Sequence, residues 1–128
     1  MTGESRCTRG FTLIELLVVI AIIATLLTIA APRYFKSLER SKETVLRQDL
    51  AVLRDAIDKY AADLDRYPET LESLVERGYV RTVPEDPMTR SSQTWLLETS
   101  DDPERPGIRD VHSGAEGADA SGRPFVEL

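Results

Sequence analysis

"RGFTLIELLVVIAIIATLLTIAAP", residues 9–32, decides how the rest of the chain is read. After Phe11 the run is apolar except for Thr12, Glu15, Thr25 and Thr28. At about 1.5 Å per residue, a helix over residues 11–31 covers roughly 30 Å, the hydrocarbon thickness of a bilayer. The spacing and composition predict a single transmembrane helix. A secretory signal has a shorter apolar core, about 7–15 residues, and no carboxylate at its head, although "IAA" before Pro32 imitates a cleavage site. A chain of 128 residues has too little core to cover a soluble helix that is apolar on every side. Glu15 is the anomaly. A carboxylate in hydrocarbon costs a few kcal/mol on insertion scales, so it takes a partner. Flanking charge does not orient the span, because Arg6 and Arg9 precede it while Arg33, Lys36, Arg40 and Lys42 follow.

Past Pro32 the pattern turns amphipathic. Leu46, Leu50, Leu53, Ile57, Tyr60 and Leu64 fall on one helical stripe, and Arg47, Asp49, Arg54, Asp55, Asp58 and Lys59 occupy the other faces. Pro32 can be carried inside a membrane helix as a kink. The expectation is one helix of roughly 50 residues, its first half apolar all round and its second half apolar on one side only. Tyr67-Pro68 is expected to stop it. Leu71, Leu74 and Val75 predict a short helix, with Thr70 as N-cap and Gly78 as the C-terminal stop. "TWLLET" (94–99) and "GIRDVHS" (107–113) read as strands, joined by the acidic "SDDPERPG", which is too long for a tight turn. "GAEGADASG" reads as a loop, and "RPFVEL" as the segment closing the sheet edge. The fold class is therefore α+β: a long N-terminal helix packed on a small antiparallel sheet with C-terminal loops.

The totals narrow the function. A net charge of −6 argues against a nucleic-acid binder, which needs a basic face. The single cysteine, Cys7, permits no intramolecular disulfide. A small domain without disulfides calls for another staple, such as a metal or oligomerisation. His112 has no second histidine or nearby cysteine, so it reads as a strand-end residue rather than a zinc ligand. Trp95 reads as an aromatic anchor on the helix stripe. No nucleophile–base arrangement and no phosphate loop is apparent, so an enzyme is not expected.

A short basic leader, Gly10, the aromatic Phe11, "TLI", Glu15 and a long apolar helix together resemble the processing and assembly segment of type IV pilins and of the pseudopilins of type II secretion systems. "DRYPETLESLVERGYV" and the closing "GIRDVHSGAEGADASGRPF" look more like the major, G-type pseudopilin than a pilus pilin, as does the lack of a cysteine pair. The segment from Arg90 to Gly107 departs from that pattern. The resemblance implies three regions: a leader over residues 1–10, a transmembrane and assembly helix over 11–32, and a periplasmic globular domain over 33–128 that includes the amphipathic helix half, about 33–64. It implies that a prepilin peptidase cuts between Gly10 and Phe11 and methylates the new amino terminus of Phe11. Losing Glu4, Arg6 and Arg9 with the leader would take the formal charge from −6 to −7.

The same resemblance gives Glu15 a role: it attracts the amino terminus of a neighbouring subunit and sets axial register as the helix leaves the membrane. The bland alternative is that Glu15 snorkels to the interface near its own helix end. The resemblance also implies a calcium ion in the C-terminal loop, with Ser113, Glu116 and Asp119 as ligands, although this loop is shorter and poorer in aspartate than the family pattern. Asp101, Asp102 and Glu104 form a second acidic patch, and neither patch has EF-hand spacing. The implied partners are further copies of the chain, minor pseudopilins, the peptidase and the inner-membrane secretion platform. The implied location is the inner membrane, single-pass, with the C-terminal domain in the periplasm. The implied function is a structural subunit of the secretion pseudopilus. A pilin of a type IV pilus or DNA-uptake fibre, and a membrane-anchored periplasmic binding module that never polymerises, stay open.

Overall fold

The structure is a computed structural model that describes Gly3 and residues 9–128. Cys7 and most of the leader lie outside the described residues. The first element is α1, Leu13–Leu64, a 52-residue helix that continues through Pro32. Thr12 sets its start. The Thr12 hydroxyl accepts the Glu15 N–H at 3.1 Å, which makes Thr12 the N-cap and Glu15 the third helical residue. Within the apolar stretch the Thr25 and Thr28 hydroxyls donate to the carbonyls of Ala21 and Ala24, both at 2.8 Å. Their polar groups are thus satisfied inside the helix, which suits hydrocarbon.

The described chain divides into two compact units that meet between Ser37 and Leu38. In the first, the large apolar side chains from Phe11 to Phe35 keep 43–83% of their surface exposed. Among the described residues, none buries this stretch of the helix. α1 is the one helix among the described residues long and apolar enough to cross a membrane.

The second unit has a core. Leu46, Leu50, Leu53, Ala56, Ile57 and Tyr60 of α1 are buried together with Leu71, Leu74, Trp95, Ile108, Val111, Ala115, Phe125 and Leu128. The stripe expected from the sequence is the buried one, with Leu64 half-buried at its end. α1 ends earlier than Tyr67-Pro68 alone would require. Asp65 sits in the left-handed region at φ 53° and returns its N–H to the Ala61 carbonyl at 3.0 Å. α2, Leu71–Glu76, is capped by the Thr70 side chain, which accepts the Ser73 N–H. It stops at Gly78 (φ 79°), where the Gly78 and Tyr79 N–H groups return to the carbonyls of Val75 and Leu74. That paired return is the motif in which glycine ends a helix without steric cost.

The sheet is two antiparallel strands, β1 (Leu96–Thr99) and β2 (Ile108–His112), with Leu96 opposite His112 and an irregularity at Glu98/Thr99. β2 turns Ile108 and Val111 into the core. Its first residue is anchored to the turn after α1, because the Ile108 N–H donates to the Pro68 carbonyl at 2.8 Å and the Tyr67 N–H to the Pro106 carbonyl at 3.2 Å. Gly107 makes this approach possible: at φ 122° a Cβ there would lie 2.5 Å from the Tyr67 oxygen. Trp95 is buried as expected, and its Nε1–H donates to the Pro84 carbonyl at 2.8 Å. The expectation that "RPFVEL" closes the sheet edge is corrected. Pro124 has no N–H to give to a ladder, and Phe125–Glu127 forms a 3₁₀ turn that buries Phe125.

Candidate functional site

Three groups of residues carry the chemistry expected of the chain. The first is the N-terminal segment. Arg9, Gly10, Phe11 and Glu15 line one open hollow, and Phe11 is 83% exposed. A Cβ built on Gly10 would meet no atom within 4 Å, so packing does not require glycine there. Glu15 lies in the first turn of α1, where the unpaired N–H groups give the helix end a partial positive charge that favours a carboxylate.

The second group ties α1 to the strands. Arg54 on α1 donates through Nε to the Asp110 carboxylate at 2.8 Å, and through a terminal nitrogen to the carbonyls of Val111 at 2.9 Å and Leu128 at 2.6 Å. His112 lies beside them. Its Nδ1 is 3.0 Å from the Leu128 oxygen, and its Nε2 is 3.3 Å from Glu98 and 3.5 Å from Asp110. Glu98 pairs in turn with Arg109. Ligand atoms of Glu98, Asp110 and His112 come within 4.8 Å of one another, but two guanidinium groups already neutralise the carboxylates, so the cluster is an ion-pair network. Burial pushes the Asp110 carboxyl up, but the Val111 N–H and the Arg54 guanidinium outweigh it and the net shift is down. Hydrogen bonds from Arg109, then His112, hold Glu98 low as well. Sequence spacing does not reveal this network. The signal exists only once the register is known, since it places Glu98 opposite Asp110, with His112 two residues on.

The third group is the C-terminal loop. Ser113 is buried, and its hydroxyl donates to the buried Asp86 at 2.5 Å while accepting the Ala115 N–H at 3.1 Å. Asp86 also accepts the Met88 N–H, so Ser113 joins two loops. Glu116 is exposed. Asp119 is buried and bound into a different set of contacts. One carboxylate oxygen accepts the N–H groups of Ser121 and Arg123 and the Ser121 hydroxyl, and the other accepts the Arg47 guanidinium at 2.5 Å. The Ser121 hydroxyl is the largest influence holding this carboxyl below its ordinary range, and Arg47 adds to it.

The match to a family model covers the first of these groups. A family model for the prokaryotic N-terminal methylation motif matches residues 5–31. Type II secretion system core protein G of Klebsiella pneumoniae is 36% identical over 95 residues, covering 62% of this chain and 68% of that protein. The proteins of the same name from Aeromonas hydrophila and Pseudomonas aeruginosa are 31% and 32% identical over 100 residues, covering 66% of this chain and 70% of each. The chain belongs to the type II secretion system core protein G family. No solved structure matches it. The G-type pseudopilin resemblance and the α+β pilin-like fold thus stand together, and the apolar helix with its methylation motif fits a membrane-anchored secretion component.

The calcium ion that the sequence resemblance implies can be weighed against the donors present. Calcium takes six to eight oxygens, with carboxylates as its strongest ligands. Here Asp119 is surrounded by N–H and O–H donors and a guanidinium, and Ser113 is bound to Asp86 rather than into the Asp119 contacts. Among the described residues, the convergent carboxylate–histidine group includes neither Glu116 nor Asp119. Ser113, Glu116 and Asp119 as arranged do not fit a calcium site.

Proposed function

We propose that the chain is the structural subunit of the type II secretion pseudopilus. It polymerises through its N-terminal helix, and growth of the fibre drives protein export across the outer membrane. The observation that carries this reading is the division of labour along α1. Over residues 46–61 one apolar stripe, Leu46, Leu50, Leu53, Ile57 and Tyr60, goes into the domain core, while residues 11–35 leave their large apolar side chains uncovered. A helix apolar on all sides needs lipid or other helices around it. In the precursor it anchors the chain in the inner membrane with residues 33–128 in the periplasm. In the fibre the same surface packs against further copies.

Processing supplies the second half of the reading. Glycine at position 10 is not needed for packing, which supports its use by the prepilin peptidase as a side-chain-free residue before the cut. Cleavage leaves Phe11 with an α-amino group that is then methylated. That cation pairs with Glu15 of a neighbouring copy and offsets the cost of a carboxylate in hydrocarbon. The chain performs no chemistry of its own; work comes from the secretion platform, and minor pseudopilins join the same fibre. The test is Glu15→Ala in a cell carrying the secretion system. Normal cleavage with loss of fibres is expected, and fibres formed at the normal level would sink the pairing.

A further inference from the structure

We propose that Arg47 takes the place of a loop-bound cation in this chain: carried on α1, its guanidinium closes the C-terminal loop by pairing with Asp119, and the loop folds without a divalent metal. The Asp119 side chain is only 2% exposed, and a buried carboxylate persists only when paired and hydrogen-bonded. Its partners are complete. Three donors from Ser121 and Arg123 converge on one oxygen, and Arg47 meets the other at 2.5 Å from a point 72 residues away in the chain. The loop is otherwise closed by its own backbone. The Asp119 N–H donates to the Arg123 carbonyl at 2.9 Å, the Gly122 N–H to the Asp119 carbonyl at 3.0 Å, and the Phe125 N–H to the Gly117 carbonyl at 3.1 Å. Phe125 and Ala115 pack in the core with α1, and Arg47 adds a polar tie from α1 to the loop between them.

A metal would need the same oxygens. Calcium at Asp119 must displace the guanidinium and turn away N–H donors that point at the carboxylate, leaving those donors unpaired. Arg47 is itself half-exposed and held from its other side by Glu43, 3.9 Å away on the preceding turn. The guanidinium is always charged and presents a planar fork, so it can hold a carboxylate at any calcium concentration. The loop is short and poor in aspartate because one side chain from α1 supplies the positive charge that a longer acidic loop would draw from solution.

The experiment uses the full mature chain in detergent micelles, with thermal unfolding followed by the fluorescence of the single, buried Trp95. The unfolding midpoint is expected to be the same in EDTA and in ~5 mM calcium chloride. A millimolar calcium site would raise it by about 4–8 °C, and a rise of that size overturns the proposal. Arg47→Met keeps the apolar stem and removes the charge. Its Ser121 and Arg123 amides are expected to exchange with solvent about tenfold faster than in the native chain, and unchanged exchange also overturns the proposal. If Arg47→Met does not fold, the calcium comparison on the native chain decides alone.

Discussion

Removing the same three carbons from two leucines of one helix should have opposite consequences. Leu53 is fully buried in the second unit, whereas Leu17 is 58% exposed in the first. A buried Leu→Ala change loses its transfer free energy and leaves a cavity, together about 3 kcal/mol within a range of about 2–5. For a domain the size of the 38–128 unit, each kcal/mol moves the melting midpoint by roughly 4–8 °C. Leu53→Ala should therefore lower the midpoint by roughly 12–24 °C. Leu17→Ala alters an exposed position of the first unit and should stay within the ~0.5 kcal/mol of an ordinary surface change, below about 4 °C. The assay is thermal circular dichroism of the full chain in micelles, where detergent covers residues 11–35. Fibre yield is the second readout. Leu17→Ala should reduce it although the domain melts normally. Equal losses of midpoint for the two variants, or a Leu53→Ala shift under about 4 °C, would refute the division of α1 into a domain half and an assembly half.

The charged contacts give a signed pH dependence. Asp110 and Asp119 are held below the ordinary carboxylate range, so their contribution is present above about pH 4 and is lost progressively as the pH falls from there through their lowered folded-state values. The melting midpoint should begin to drop as the pH falls below about 5 and keep dropping below about pH 4, and the drop should be shallower in Asp110→Asn, which has less to lose. Asp49 has the opposite sign. Burial, then the nearby Asp86, raises its carboxyl, so its ionised form opposes folding at neutral pH. Asp49→Asn should raise the midpoint at pH 7 and leave it unchanged below about pH 4; a lower midpoint at pH 7 would contradict the argument.

Much of the fold is legible in the sequence because it rests on short-range periodicity. The stripe from Leu46 to Tyr60, the Thr70 cap and the Gly78 stop are local patterns, and each is realised where the spacing puts it. The helix end near residue 64 is legible from where the stripe runs out, and α1 stops at Leu64; the turn that stops it, with Asp65 in the left-handed region, leaves no mark in the sequence. The C-terminal segment reads as closing the sheet edge, but Pro124 and the bridge from Ala118 direct the chain into a turn. The polar contacts are the hardest to read. Arg54 with Asp110 and Arg47 with Asp119 are separated by 56 and 72 residues, and nothing in the spacing of either pair marks it. The same limit holds in the C-terminal loop: its acidic residues are visible in the sequence, but the arginine that pairs with Asp119 comes from α1. In contrast, the pattern of Gly10, Phe11 and Glu15 can be read without the fold, because the three lie within six residues of one another.

The mass of the mature amino terminus tests the central claim most directly, since anchoring, processing and the Glu15 pairing all depend on where the chain begins. The chain is purified from membranes of a cell with the secretion system, and its N-terminal peptide is weighed. A first residue of N-methylated Phe11 is the expected result. An intact Met1, or a start near Pro32, would contradict it, because Glu15 would then have no amino-terminal cation beside it, or would itself have been removed with a signal peptide.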